Sequence, residues 1–221
     1  MTIDEQCLLL RRADIRGVEY YEKKLRDNVG DPARLEDLAC EGLVARTFAT
    51  HGWTITMRES PDLEGKLNSL YLGIEVKHFR YKPAHDPFED AALISGGGPT
   101  LARIPSLTET EGSEEAWQQM YRFAVKNSHQ LIDGEFNVLF FVCSTQAHDD
   151  ATLETTVNIY NEAVQKPGCA PAMKNLTAIM MSGPRWKDID SHRSIFWRPI
   201  YNAKKPLSIA LAEKLDQIVT H

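Results

Sequence analysis

An α/β fold is predicted for this chain of 221 residues: a mixed central β-sheet flanked by helices, with a long loop inserted near its middle. Three observations predict it. Apolar residues recur at helical spacing from Ala33 to His51 and again from Glu114 to Ile132; period-two alternation marks Leu70 to Phe79; and Phe136 to Cys143, apolar apart from Asn137, has the length and composition of a buried strand. The order helix, strand, strand, strand, helix, strand calls for a sheet between helices.

Taken in order, residues 4–29 read as a charge-rich helical stretch. Gly30, Asp31 and Pro32 restart a helix, with Asp31 as N-cap and Pro32 at the first helical position. Leu35, Leu38, Ala39, Leu43, Val44 and Phe48 supply its apolar positions, and Gly52 stops it. Trp53 to Met57 alternates with β-branched residues and predicts a strand; Ser60-Pro61 marks a turn, and a second extended stretch leads to Asn68 and Ser69. In the third strand, Leu70 to Phe79, period two puts Leu70, Leu72, Ile74 and Val76 on one face and Tyr71, Gly73, Glu75 and Lys77 on the other.

Residues 80–113 carry Pro83, Pro87, Pro99, Pro105 and a Gly96-Gly97-Gly98 run with few periodic apolar positions, so they read as a long loop of the kind used for lids and binding segments. The triple glycine lacks the Lys-Ser/Thr of a phosphate loop. A helix follows with Trp117, Met120, Tyr121, Ala124 and Leu131 apolar, then the strand from Phe136 to Cys143. Beyond it come a helix from Leu153 to Val164, strands from Leu176 to Met181 and Ser194 to Pro199, and a closing amphipathic helix from Leu207 to Val219. The expected organisation is one domain over residues 1–221, with a core at about 31–144, the insertion at about 80–113 and an extension over about 145–221.

Composition narrows the class. With 43% hydrophobic and 25% charged residues the chain is expected to fold and not to be disordered or collagenous. No apolar run approaches the roughly 20 residues that cross a bilayer, and Asp4, Glu5, Arg11 and Arg12 stand where a signal peptide needs apolar residues, so a cytoplasmic protein with no membrane partner is expected. Cys7, Cys40, Cys143 and Cys169 form no CxxC pair and read as buried free thiols. The net charge of −6 argues against binding nucleic acid by bulk charge. Its distribution is uneven. Residues 84–115 hold seven acids against Arg103 alone, a local −6, while residues 183–206 carry +4 with Trp186, Phe196, Trp197 and Tyr201 interleaved. Arg185, Lys187, Arg193 and Arg198 of that segment are the candidate nucleic-acid contacts, although a solvated edge strand with inward aromatics explains the pattern as well.

The chemistry is concentrated in Pro61-Asp62, twelve intervening residues, then Glu75-Val76-Lys77. Asp62 and Glu75 supply two carboxylates to one cation if the second and third strands are hairpin neighbours, and magnesium, with manganese as substitute, takes such oxygen ligands plus waters and a substrate phosphate. Residues i and i+2 share a strand face, so Glu75 and Lys77 point the same way, and Lys77 could orient or deprotonate an attacking water or stabilise transition-state charge. With the helix and strand on either side, this segment resembles the PD-(D/E)XK nuclease superfamily, the restriction endonuclease-like fold, over about residues 31–144.

The resemblance implies an αβββαβ core with a loop insertion and a magnesium-dependent endonuclease that hydrolyses DNA phosphodiester bonds in restriction or repair. Asp62 and Glu75 would be its metal ligands and Lys77 the group at the water. It also implies an acid on the helix before the first strand. Glu41, eleven residues ahead of Gly52, takes that place, with Asp37 and Glu36 competing. Leu38, Val44 and Ala45 surround Glu41 on its helix, so a metal-bound water or Lys77 is expected to offset its burial. In such nucleases the helix after the third strand carries polar residues facing the site, here Gln118, Gln119, Lys126 or Gln130. Cutting both strands of a duplex needs two sites, hence a homodimer. Without the resemblance, Glu75 and Lys77 could be an exposed ion pair and Pro61-Asp62 only a turn. A second functional class is a nuclease-fold protein that binds DNA or a regulatory partner protein without catalysis, with the acidic insertion as a lid. His78 falls on the face opposite Lys77 and reads as a core or sheet-edge histidine.

Overall fold

The computed structural model describes residues 2–79, 115–143, 150–184 and 193–219. A six-stranded open sheet runs in the order β1 (Thr54–Met57), β2 (Leu63–Leu67), β3 (Leu70–Phe79), β4 (Phe136–Cys143), β5 (Ala178–Pro184) and β6 (Arg193–Pro199). The first three strands form an antiparallel meander, β3, β4 and β5 are parallel, and β6 returns antiparallel to β5. The parallel steps are bridged by α4 (Ala116–Asn127), between β3 and β4, and α5 (Asp150–Gln165), between β4 and β5. The predicted α/β class with a mixed, helix-flanked sheet is therefore what the chain adopts.

Helices cover both faces. On one, α1 (Ile3–Arg12), α2 (Val18–Asp27), α3 (Pro32–Thr50) and α6 (Ile209–Val219) pack Leu10, Leu25, Leu38, Phe48 and Leu215 against Leu72, Ile74, Val76, Val138 and Phe140. On the other, α4 and α5 pack Met120, Ala124, Leu153 and Tyr160 against Phe79, Leu139, Phe141 and Ile179. The central position of β4 explains its composition: both of its faces are covered, so alternation disappears. Its one polar residue, Asn137, is fully buried and donates to the carbonyls of Ile132, Glu135 and Asn175 while accepting from the Ile132 N–H.

Helix α3 begins as expected, with the Asp31 carboxylate accepting from the Arg34 N–H and Pro32 at its first position. It ends where Gly52 takes φ +82°. The stretch 4–29 differs from its prediction: it is two helices, not one. Ala13 closes α1, Asp14 and Gly17 take positive φ, and Arg16 lies along β1, donating to the Ile55 carbonyl and accepting from the Met57 N–H, both at 2.9 Å. A Cβ on Gly17 would stand 2.4 Å from the Met57 carbonyl oxygen, so glycine is required there. The break is fixed by a strand partner some forty residues away, which helical periodicity does not register.

All four cysteines are free; Cys7, Cys40 and Cys143 are buried, whereas Cys169 is only half-buried. Among the described residues no helix is long and apolar enough to cross a membrane. The loop 80–113 lies outside the described residues, as do all the acids of residues 84–115 except Glu115. Glu115 starts α4, its N–H donating to the Gln118 side chain at 2.9 Å.

Candidate functional site

Asp62 stands one residue before the first paired position of β2, where Leu63 faces Ile74, and so lies across from Glu75 on β3. Its Oδ2 accepts from the Val76 N–H at 2.9 Å, and its own N–H donates to Glu75 Oε2 at 3.3 Å. The turn before it is tied to the segment that leads into β4 by Ser60, whose hydroxyl donates to the Gln130 carbonyl. Gly73 makes room for this turn: a Cβ there would lie 3.3 Å from Pro61 Cγ and 2.5 Å from Asn137 Oδ1.

Period two acts on β3 as the alternation predicts. Val76 packs under α3, and Glu75 and Lys77 share the opposite face, with Lys77 Nζ donating to Glu75 Oε1 at 2.6 Å. The pair is not the exposed one that a purely structural role suggests, since Glu75 is 2% accessible, and Lys77, at 24%, is the more open member. Glu41 enters from α3 and is 4% accessible; Asp62 is 8%. Its charge partner is not the one expected. Lys24 of α2, not Lys77, donates to Glu41 Oε2 at 2.9 Å, because α2 packs across α3 and brings its ammonium over the buried acid.

Of the three buried carboxylates, the two outer ones each carry a lysine. Burial raises Glu41 to about 7, reinforced by the negative charge of Asp62 and opposed by Lys24. Burial also raises Glu75, again reinforced by Asp62 and opposed by Lys77. Asp62 is felt by both outer acids, yet among the described residues no Lys, Arg or His lies within ion-pair distance of it, and its carboxylate is held by a backbone N–H. An all-oxygen donor set with excess negative charge suits magnesium, which needs one or two carboxylates and completes its shell with waters. Among the described residues no three His, Cys, Asp or Glu are grouped to hold one cation, and Asp62 and Glu75 are the two acids of this set that adjacent strands place across from each other.

His78 is buried on the α3 side, with Nδ1 3.4 Å from Asp37 Oδ1, in keeping with a core histidine. Gln118 caps α4 and, with Trp117, Tyr121 and Arg122, lines an open groove of about 540 Å³ against α5. None of the site acids lines that groove. Arg198 pairs with Asp150 at 2.7 Å. Arg185 and Lys187 lie outside the described residues, and Arg193 is placed by its backbone in β6, opposite Pro184. Lys24 is the residue that sequence reasoning missed. The only signal was a lysine on the polar face of a charged helix, one among several.

The chain matches no family model, no curated protein and no solved structure among known proteins.

Proposed function

We propose that this protein is a metal-dependent endonuclease of the PD-(D/E)XK, restriction endonuclease-like kind, hydrolysing DNA phosphodiester bonds. One observation carries the reading: on adjacent antiparallel strands the Glu75 carboxylate accepts from both the Asp62 N–H and Lys77 Nζ, with both acids buried. Among the described residues the element order from α3 to β4 supports it, being helix, three strands, helix, strand.

Asp62 and Glu75 would hold magnesium or manganese, which when bound polarises the phosphate and lowers the pKa of a coordinated water. Lys77, the more open member of the pair, would orient the attacking water and offset the charge that builds on the phosphate. Val76 holds Asp62 in place through its N–H, and Glu41 acts as an auxiliary acid from α3. A second reading, a DNA- or partner-binding protein that does not cut, is favoured by the lysine already seated on each outer acid. Incubating supercoiled plasmid and single-stranded DNA with magnesium or manganese, beside EDTA and Lys77→Ala controls, separates the two. Metal-dependent cutting lost in the variant supports the nuclease; binding without cutting on either substrate supports the second reading.

A further inference from the structure

Resting on the metal site proposed above, we infer that the Lys24 ammonium fills the cation position beside Glu41, so that each chain takes one divalent ion, on Asp62 and Glu75, and not two. Lys24 lies outside the stretch of chain that carries the Asp62, Glu75 and Lys77 pattern. Its approach is nevertheless built into the packing of α2 on α3. Tyr21, one turn before Lys24, is buried and donates to the Leu38 carbonyl at 2.6 Å, while the Gln6 amide donates to the Tyr21 oxygen at the same distance. Gly42, next to Glu41, permits this contact: a Cβ there would stand 2.7 Å from the Tyr21 oxygen and 2.9 Å from Gln6 Nε2. The lysine side chain is only 18% accessible, so its ammonium is aimed at Glu41 and not at bulk water.

Charge gives the same result. Even with all three carboxylates ionised, the two ammonium groups leave one negative charge, which one divalent ion overcompensates before any phosphate enters. A second ion would bring two further positive charges against an acid whose Oε2 is already bonded to an ammonium. Lys24 thereby acts as a positioning residue for Glu41 and as a fixed substitute for a metal.

The test is the Mn2+ stoichiometry of the full chain near pH 8, read by calorimetry and by loss of the free-ion electron paramagnetic resonance signal, with circular dichroism on every variant. One ion per chain in the wild type and in Lys24→Arg, and a second, weaker ion in Lys24→Gln that disappears in Lys24→Gln/Glu41→Gln, is the expected result. Two ions in the wild type overturn the inference and leave the proposed nuclease site standing. One ion in both wild type and folded Lys24→Gln overturns the role of Lys24. No Mn2+ bound by the wild type removes the metal site itself and the inference with it.

Discussion

Asp62 and Glu75 are joined twice across neighbouring strands: the Asp62 N–H donates to the Glu75 carboxylate, and the Asp62 carboxylate accepts from the N–H of Val76, the residue after Glu75. Two buried acids are thus held together by backbone geometry, at a cost that their mutual repulsion makes plain.

Removing either functional end of this arrangement has separable effects. Asp62→Ala should abolish both Mn2+ binding and cleavage, whereas Lys77→Ala should lower cleavage about 10²- to 10⁴-fold while retaining the ion. Parallel metal titration and plasmid cleavage check this; full activity in either variant withdraws the site assignment.

The raised acids also make stability depend on pH. A carboxyl raised by folding contributes stability that is complete below its unfolded value of about 4.5 and is lost as pH rises through the folded value, about 7 for Glu41. Glu41→Gln escapes that loss. In metal-free buffer it should match the wild type near pH 5 and exceed it by about 1–3 kcal/mol near pH 8, measured by urea unfolding. A constant difference across that window would show that Glu41 titrates normally.

Gly73→Ala should be costly despite the small added methyl. The Asn137 amide it would strike is fixed by four hydrogen bonds and cannot swing aside, so Pro61 must move and Asp62 with it. A loss of about 1–3 kcal/mol and weaker Mn2+ binding are expected. Thermal unfolding and metal titration together read it, and unchanged values in both would mean that the Pro61 turn yields without shifting Asp62.

Gly17→Ala tests the docking of the N-terminal helices. Positive φ and the close Met57 carbonyl both oppose a side chain, and the loss should reach about 1–3 kcal/mol or more. Hydrogen exchange should show the Arg16 and Met57 amides, which tie the connector to β1, opening first; slow exchange there in the variant would contradict the account.

The elements and the pairing of Glu75 with Lys77 were legible because their determinants are local. Alternation along Leu70 to Phe79 places residues two apart on one face whatever the surroundings, and helical recurrence in Ala33 to His51 marks a buried helix before any partner is known. Asp62 was marked by the spacing from Pro61-Asp62 to Glu75, and its place across from Glu75 hung on the second and third strands being hairpin neighbours, which they are. The same logic failed for Glu41, where apolar neighbours announced burial but not the group that would offset it.

By itself, then, the sequence determined the order of elements from α3 onward, a buried strand at Phe136–Cys143, and a carboxylate and a lysine side by side on β3, all properties of spacing along one chain segment. Tertiary structure decided that Lys24 meets Glu41, that Arg16 breaks the first helix to join β1, and that Arg198 is committed to Asp150. Periodicity records which face of an element turns from water. Which distant charge ends up against a buried one depends on how whole helices and strands pack, and on which pairing offsets the loss of hydration within that packing.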